Sequence, residues 1–103
     1  MNKLQAAPHR ERLIKELRDD PKLAREYLAA AIEDEDPRAL LAALRTVAES
    51  LGMAQVAETA GIPRESLYRA LSPKGNPRLT TLLAVVRAAG LKIALAERKR
   101  KAA

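Results

Sequence analysis

An all-α fold follows from three features of this 103-residue sequence. Apolar residues make up 48% of the chain but aromatics only 2%, with no Phe or Trp, so the core must be built from Leu, Ala, Val and Ile. Apolar positions recur at helical spacing in one segment after another. Asp-Pro pairs and single glycines fall where those segments begin and end. One compact domain is expected, because the length leaves too few residues for a second independent core.

Residues 1–8 lack periodicity and end in Pro8, so a flexible, frayed terminus is expected there, with a single helical domain over residues 9–96. "HRERLIKELR" then places Leu13, Ile14 and Leu17 on one stripe, a short first helix. In the next segment Asp20 suits the N-cap and Pro21 the first helical position. The cap carboxylate accepts orphan amides and proline has none to lose. Leu23, Tyr27, Leu28, Ala31 and Ile32 form the predicted buried face, with the Tyr27 hydroxyl at the surface. The device recurs with Asp36 and Pro37, followed by a stripe of Leu40, Leu41, Leu44, Val47, Ala48 and Leu51, and Gly52 supplies a left-handed C-terminal stop. The acidic run Glu33–Asp36 between these helices lacks the glycine-bearing loop and later glutamate of a calcium site, so it reads as a helix end running into a cap.

From Met53 the elements shorten. "MAQVAETAG" and "PRESLYRAL" each supply about two turns and "LTTLLAVVRAAG" about three, by the 3.6-residue period. In the last of these Leu79, Leu82, Leu83, Val86 and Ala89 are expected to face inward, with Gly90 as terminator. "LKIALA" then alternates, Leu91, Ile93 and Leu95 against Lys92, Ala94 and Ala96. That is the period of a strand, and a lone strand needs a partner, most simply its own copy across a two-fold axis. A helical continuation or a packed extended tail fits the residues nearly as well. Residues 97–103, "ERKRKAA", are a basic tail.

Composition narrows the function. The longest apolar runs, such as Ala39–Leu44, fall far short of the roughly 18 residues that span a bilayer, and the N-terminus has no apolar core followed by a small-residue cleavage site. A soluble, cytoplasmic protein without membrane contact is expected. The absence of cysteine excludes disulfides and thiolate metal sites. The net charge of +6 is unevenly spread: residues 1–52 carry nine Lys/Arg against ten Asp/Glu, residues 53–103 ten against three. A basic half beside a near-neutral one suits a phosphate-binding surface, although a solvated face accounts for the charge equally well.

The region around Gly61 gives the basic half a shape. A helix-turn-helix, here at about residues 53–71, needs a small residue where the helices touch, a glycine at the turn, and apolar residues seating the second helix. Val56, Ala57, Gly61, Ile62, Leu67 and Ala70 fill those positions. The runs "RESLY" (Arg64, Glu65, Ser66, Leu67, Tyr68) and "LSPKGNPR" (Leu71, Ser72, Gly75, Asn76, Pro77 and Arg78 among them) resemble the phage-repressor-like helix-turn-helix of the addiction-module antidotes. These are the antitoxins of type II toxin–antitoxin pairs, together with close DNA-binding relatives that lack a toxin. The resemblance extends more loosely upstream and covers about residues 24–96, leaving out the first helix and the basic tail. It implies an all-α DNA-binding fold acting as a homodimer on an operator in double-stranded DNA.

If Pro63–Leu71 is the recognition helix, Leu67, Ala70 and Leu71 point inward and Arg64, Glu65, Tyr68 and Arg69 face out. The N-terminal part of such a helix enters the major groove, where arginine suits guanine and glutamate can accept from cytosine. On an exposed helix the same arginines could simply pair with Glu65. The resemblance favours a base contact for Arg69, and base or phosphate for Arg64. Ser66 offers a small polar contact to backbone or base. It is a poor nucleophile, because the single histidine, His9, lies on another element. Gln55, near a helix start, suits a phosphate contact or plain solvent exposure. Lys74, Asn76 and Arg78 lie in the following loop, where Gly75-Asn76-Pro77 is expected to turn tightly and set amides and cations against the sugar-phosphate backbone.

The expectation is therefore a sequence-specific, dimeric regulator on a pseudo-palindromic operator, without cofactor, and an antitoxin where a small ribonuclease toxin accompanies it. The alternative is a module that mainly masks that toxin through residues Arg10 to Ser50. Enzymatic activity is not expected, since no acid, base, nucleophile or metal-ligand pair stands at usable spacing.

Overall fold

Asp-Pro pairs start two of the six helices found among the described residues. The computed structural model describes the backbone of residues 3–99 and the side chains of residues 9–99; residues 1–2 and the end of the basic tail from Arg100 lie outside these. The helices are α1 (Lys3–Asp19), α2 (Pro21–Ile32), α3 (Pro37–Leu51), α4 (Met53–Ala60), α5 (Arg64–Ala70) and α6 (Leu79–Ala88). Asp20 caps α2 by accepting from the Lys22 amide at 3.0 Å. Asp36 does the same for α3 from Arg38 at 2.9 Å and also pairs with the Arg38 guanidinium at 2.8 Å.

The Arg38 guanidinium, and after it the Arg38 backbone amide, hold the Asp36 carboxyl below the usual carboxylate range. A depressed folded-state value keeps the cap charged at neutral pH, and its contribution is lost only as pH falls through that lowered value. Asp20→Ala should lower the unfolding free energy by about 1 kcal/mol, since the start of α2 loses its acceptor. Urea unfolding checks this, and an unchanged midpoint would mean that water replaces the cap without cost.

α3 is the hub of the fold. It packs against α1, α2, α4 and α6, and α4 in turn packs against α5 and α6. Leu44, Val47 and Ala48 of α3 meet Leu17, Leu28, Val56, Leu67, Leu71 and Val85 in one aliphatic core. Two buried hydroxyls on α3 are satisfied locally, Thr46 on the Ala42 carbonyl and Ser50 on that of Val47. α1 is tied to the same helix by an Arg10–Glu49 pair and by Arg18 Nε donating to the Ser50 carbonyl at 2.9 Å.

Several expectations need correction. α1 starts at Lys3 rather than near His9. The stretch Leu4–Ala7 consists of good helix formers, and Pro8 in the second turn forgoes a single backbone bond. Ile32, at the last position of α2, is 62% exposed, whereas Tyr27 of the same stripe packs half-buried against the core as expected. On α6 the inward face is wider than expected: Val86 and Ala89 are buried and Leu82 packs against the core, but Thr81, Ala84 and Val85 are buried as well, and Leu79 is 67% exposed. No strand occurs among the described residues. After Gly90 (φ 77°) and the Leu91 amide bond to Val86 at 3.0 Å, the chain runs without regular structure, leaving Ile93 52% and Leu95 96% exposed.

Candidate functional site

Gly61 takes the left-handed conformation (φ 71°, ψ 30°) that L side chains resist, and it closes α4. Its amide bonds to Glu58 and the Ile62 amide to Ala57, both at 3.1 Å, which is a Schellman turn. Pro63 then holds extended backbone and α5 begins at Arg64. Val56, Ala57 and Leu67 are buried and Ile62 is packed against the core, so the helix–glycine turn–helix unit is seated as its apolar spacing predicts.

The loop after α5 forms its tight turn one step earlier than expected, at Ser72-Pro73-Lys74-Gly75, where the Gly75 amide reaches the Ser72 carbonyl at 2.8 Å. Proline at the second position presets φ for such a turn, which is why it forms there rather than at Gly75-Asn76-Pro77. Gly75 is needed for a steric reason. A Cβ on it would lie 2.0 Å from the Ala70 carbonyl oxygen and 2.6 Å from that of Arg69, so the loop lies directly on the end of α5.

This contact shapes an open cleft of about 770 Å³. Ala60, Gly61 and Ile62 of the turn form one wall, Ser66, Arg69 and Ala70 of α5 the floor, and the loop with Thr80 and Thr81 of α6 the other wall. Arg69, Lys74 and Arg78 all line it, and no acidic residue does. Three cationic side chains line the cleft without a carboxylate, a lining whose donor chemistry suits an anion. A second, largely apolar cavity of about 420 Å³ lies across the loop, between Pro73, Pro77 and Leu82 on one side and Pro37, Leu40, Leu41 and Leu44 on the other. Lys74, Gly75 and Asn76 line both cavities, so this stretch of chain is the partition between them.

Of the expected site residues, the structure gathers Ser66, Arg69, Lys74, Asn76 and Arg78 in the cleft. Arg64 and Glu65 are exposed at the start of α5, and Gln55 is exposed on α4, all outside the cleft lining. Tyr68 does not simply face out. It is half-buried against the core, with the guanidinium carbons of Arg64 and Arg45 each 5.7 Å from its ring centroid. Sequence reasoning missed Arg45, Thr80 and Thr81. Nothing local marks Arg45 as close to α5, whereas the position of the two threonines at a helix start just after Arg78 was a usable signal.

Six helices around an aliphatic core, with a cleft lined by Arg69, Lys74 and Arg78 and, among the described residues, no grouping of His, Cys, Asp or Glu that could hold a metal ion, define a small all-helical protein. Among the described residues no helix is long and apolar enough to cross a membrane. The chain belongs to the family of the probable addiction module antidote protein, whose family model matches residues 10–97. It is also similar to an uncharacterized protein of Haemophilus influenzae, 40% identical over 65 residues that make up 63% of this chain and 67% of that protein. No solved structure matches it.

Proposed function

We propose that this antidote-family chain is a sequence-reading DNA-binding regulator of the phage-repressor type, working as a dimer, and that it serves as the antitoxin of a small ribonuclease toxin. The observation that carries this reading is the cleft of Arg69, Lys74 and Arg78 set between the Gly61 turn and the loop on α5, with no acidic residue in its lining. In this reading α5 is the recognition helix. Arg69 reaches a base edge, Arg64 and Glu65 lie at the entering end, and Ser66 makes a small polar contact. Lys74, Asn76 and Arg78 hold the sugar-phosphate backbone, with Gln55 on a neighbouring phosphate. Two copies related by a two-fold axis would read half-sites about 34 Å apart.

Fluorescence anisotropy with the chain's own upstream promoter DNA and with scrambled DNA, at two salt concentrations, tests this. The expected preference is about a thousand-fold or more, with steep salt dependence. Arg69→Ala should cost roughly 1–3 kcal/mol on the preferred sequence and relax the preference, whereas Arg78→Ala should weaken all sequences evenly. Equal weakening of both DNAs by Arg69→Ala would remove it from base reading.

Family membership also supports a second reading, in which the main activity is to mask the toxin and DNA binding is secondary. The near-neutral helices between Arg10 and Ser50 then form the docking surface. Weak, equal binding to both DNAs, together with tight co-purification of a toxin encoded next to this chain, would establish it.

A further inference from the structure

We infer that Arg45, on α3 and outside the helix-turn-helix, forms with Tyr68 and Arg64 a second cationic element that holds a DNA phosphate beside the entering end of α5. The inference rests on the DNA-binding reading and adds a residue and a helix to it. Arg45 stands between Leu44 and Thr46, both buried, so its backbone is held by the packing of α3. Its guanidinium carbon lies 5.7 Å from the centroid of the Tyr68 ring, and that of Arg64 lies at the same distance from the same ring. The half-buried ring is packed against the core and so fixes where both cations sit.

Neither cation joins an ion pair among the described residues. Glu49, one turn along α3, is the natural helical partner of Arg45, but it is paired with Arg10 of α1 instead. The other ion pairs among the described residues are Lys15–Asp19 and Arg38–Asp36, and Glu65, beside Arg64 in sequence, joins none. Two like charges are therefore gathered around one ring and neither joins an ion pair among the described residues, an arrangement that an incoming anion relieves. A phosphate fits because guanidinium groups bind it through paired donors. The element adjoins the first turn of α5, the part that approaches the duplex in this docking mode. Arg45 thus contacts phosphate, and Tyr68 acts as a positioning residue rather than a reader of bases.

The test uses the full chain with promoter and scrambled DNA, titrated by anisotropy between about 50 and 200 mM salt, alongside thermal melting. Arg45→Gln should weaken both DNAs by the same factor and lower the slope of log affinity against log salt by about one. Tyr68→Phe, which keeps the ring, should match the unsubstituted protein, whereas Tyr68→Leu should lower the slope like Arg45→Gln. An unchanged slope for Arg45→Gln overturns the inference, and a lowered melting temperature beside it assigns the side chain to packing alone. In that case the unsubstituted protein still prefers its promoter and the DNA-binding reading stands. If Arg45→Gln spares DNA but weakens capture of a toxin partner, the element serves an acidic protein face and the phosphate assignment falls. No binding by the unsubstituted protein at low salt overturns both readings.

Discussion

Leu67→Ala is expected to lower the unfolding free energy by about 2–5 kcal/mol, the range for removing a fully buried leucine. The seven-residue α5 is far shorter than the roughly 12–15 residues at which an isolated helix becomes marginally stable in water, so it exists only because it is packed. Its helical neighbour is α4, and Leu67 is the one residue of α5 that is fully enclosed, with Leu71 just beyond the helix end. Removing that side chain opens a cavity at the junction of α4, α5 and the core, where Val56 and Val85 are also fully enclosed. In a domain of this size each kcal/mol lowers Tm by about 4–8 °C, so thermal melting resolves the effect easily. Amide exchange should show α5 losing protection before α3. A loss below about 1 kcal/mol would mean that α5 is held by the Tyr68 contact and the loop instead, a much weaker attachment than full burial provides.

What could be read in the sequence divides by the range of the interaction. The caps at Asp20 and Asp36 and the stops at Gly61 and Gly90 are matters of a few adjacent residues and occur as their chemistry dictates, whereas Gly52 ends α3 at positive φ (99°) but with ψ 112°, outside the left-handed helical region, because α4 starts at the very next residue. On α6 "LTTLLAVVRA" is apolar on nearly every side. Val86 and Ala89 are buried as their spacing predicts and Leu82 packs against the core, but α3 and α4 cover a wider face that also takes in Thr81, Ala84 and Val85, and Leu79 at the first position is left exposed. Ile32 fits the stripe of α2 but falls at its last residue, past the packed face. "LKIALA" has the alternation of a strand, yet the described chain offers it no partner to pair with. In the candidate site, Ser66 and Arg69 follow from their place on the helix after Gly61 together with the family resemblance, and Lys74, Asn76 and Arg78 from the loop that follows it; all five line one cleft. The approach of Arg45 to Tyr68 spans 23 positions and depends on the packing of α3 with α4 and of α4 with α5, which no local pattern encodes.

Gly75→Ala is expected to separate the stability of the fold from the competence of the cleft. Gly75 does not have a positive φ, so alanine is not excluded by backbone conformation. It is excluded by contact, since the added Cβ would meet the carbonyl oxygens of Ala70 and Arg69, and backbone atoms at a helix end cannot swing aside as a side-chain tip can. The loop must therefore lift away from α5. Leu67 and Leu71 remain beneath it, so the loss of stability should resemble overpacking, about 1–3 kcal/mol. The cleft should suffer more. Lys74 and Arg78 flank the displaced residue while Arg69 stays on α5, so the three cations would no longer converge, and the partition shared with the apolar cavity would shift as a unit. In the DNA-binding reading, affinity should fall for promoter and scrambled DNA alike. The salt slope should drop by up to about two, one for each cation that loses its phosphate. Urea unfolding and anisotropy on the same preparation check both halves. Unchanged binding beside a clear loss of stability would mean that the loop cations track the DNA independently of the cleft, and the anion site would then reduce to Arg69 and its neighbours on α5.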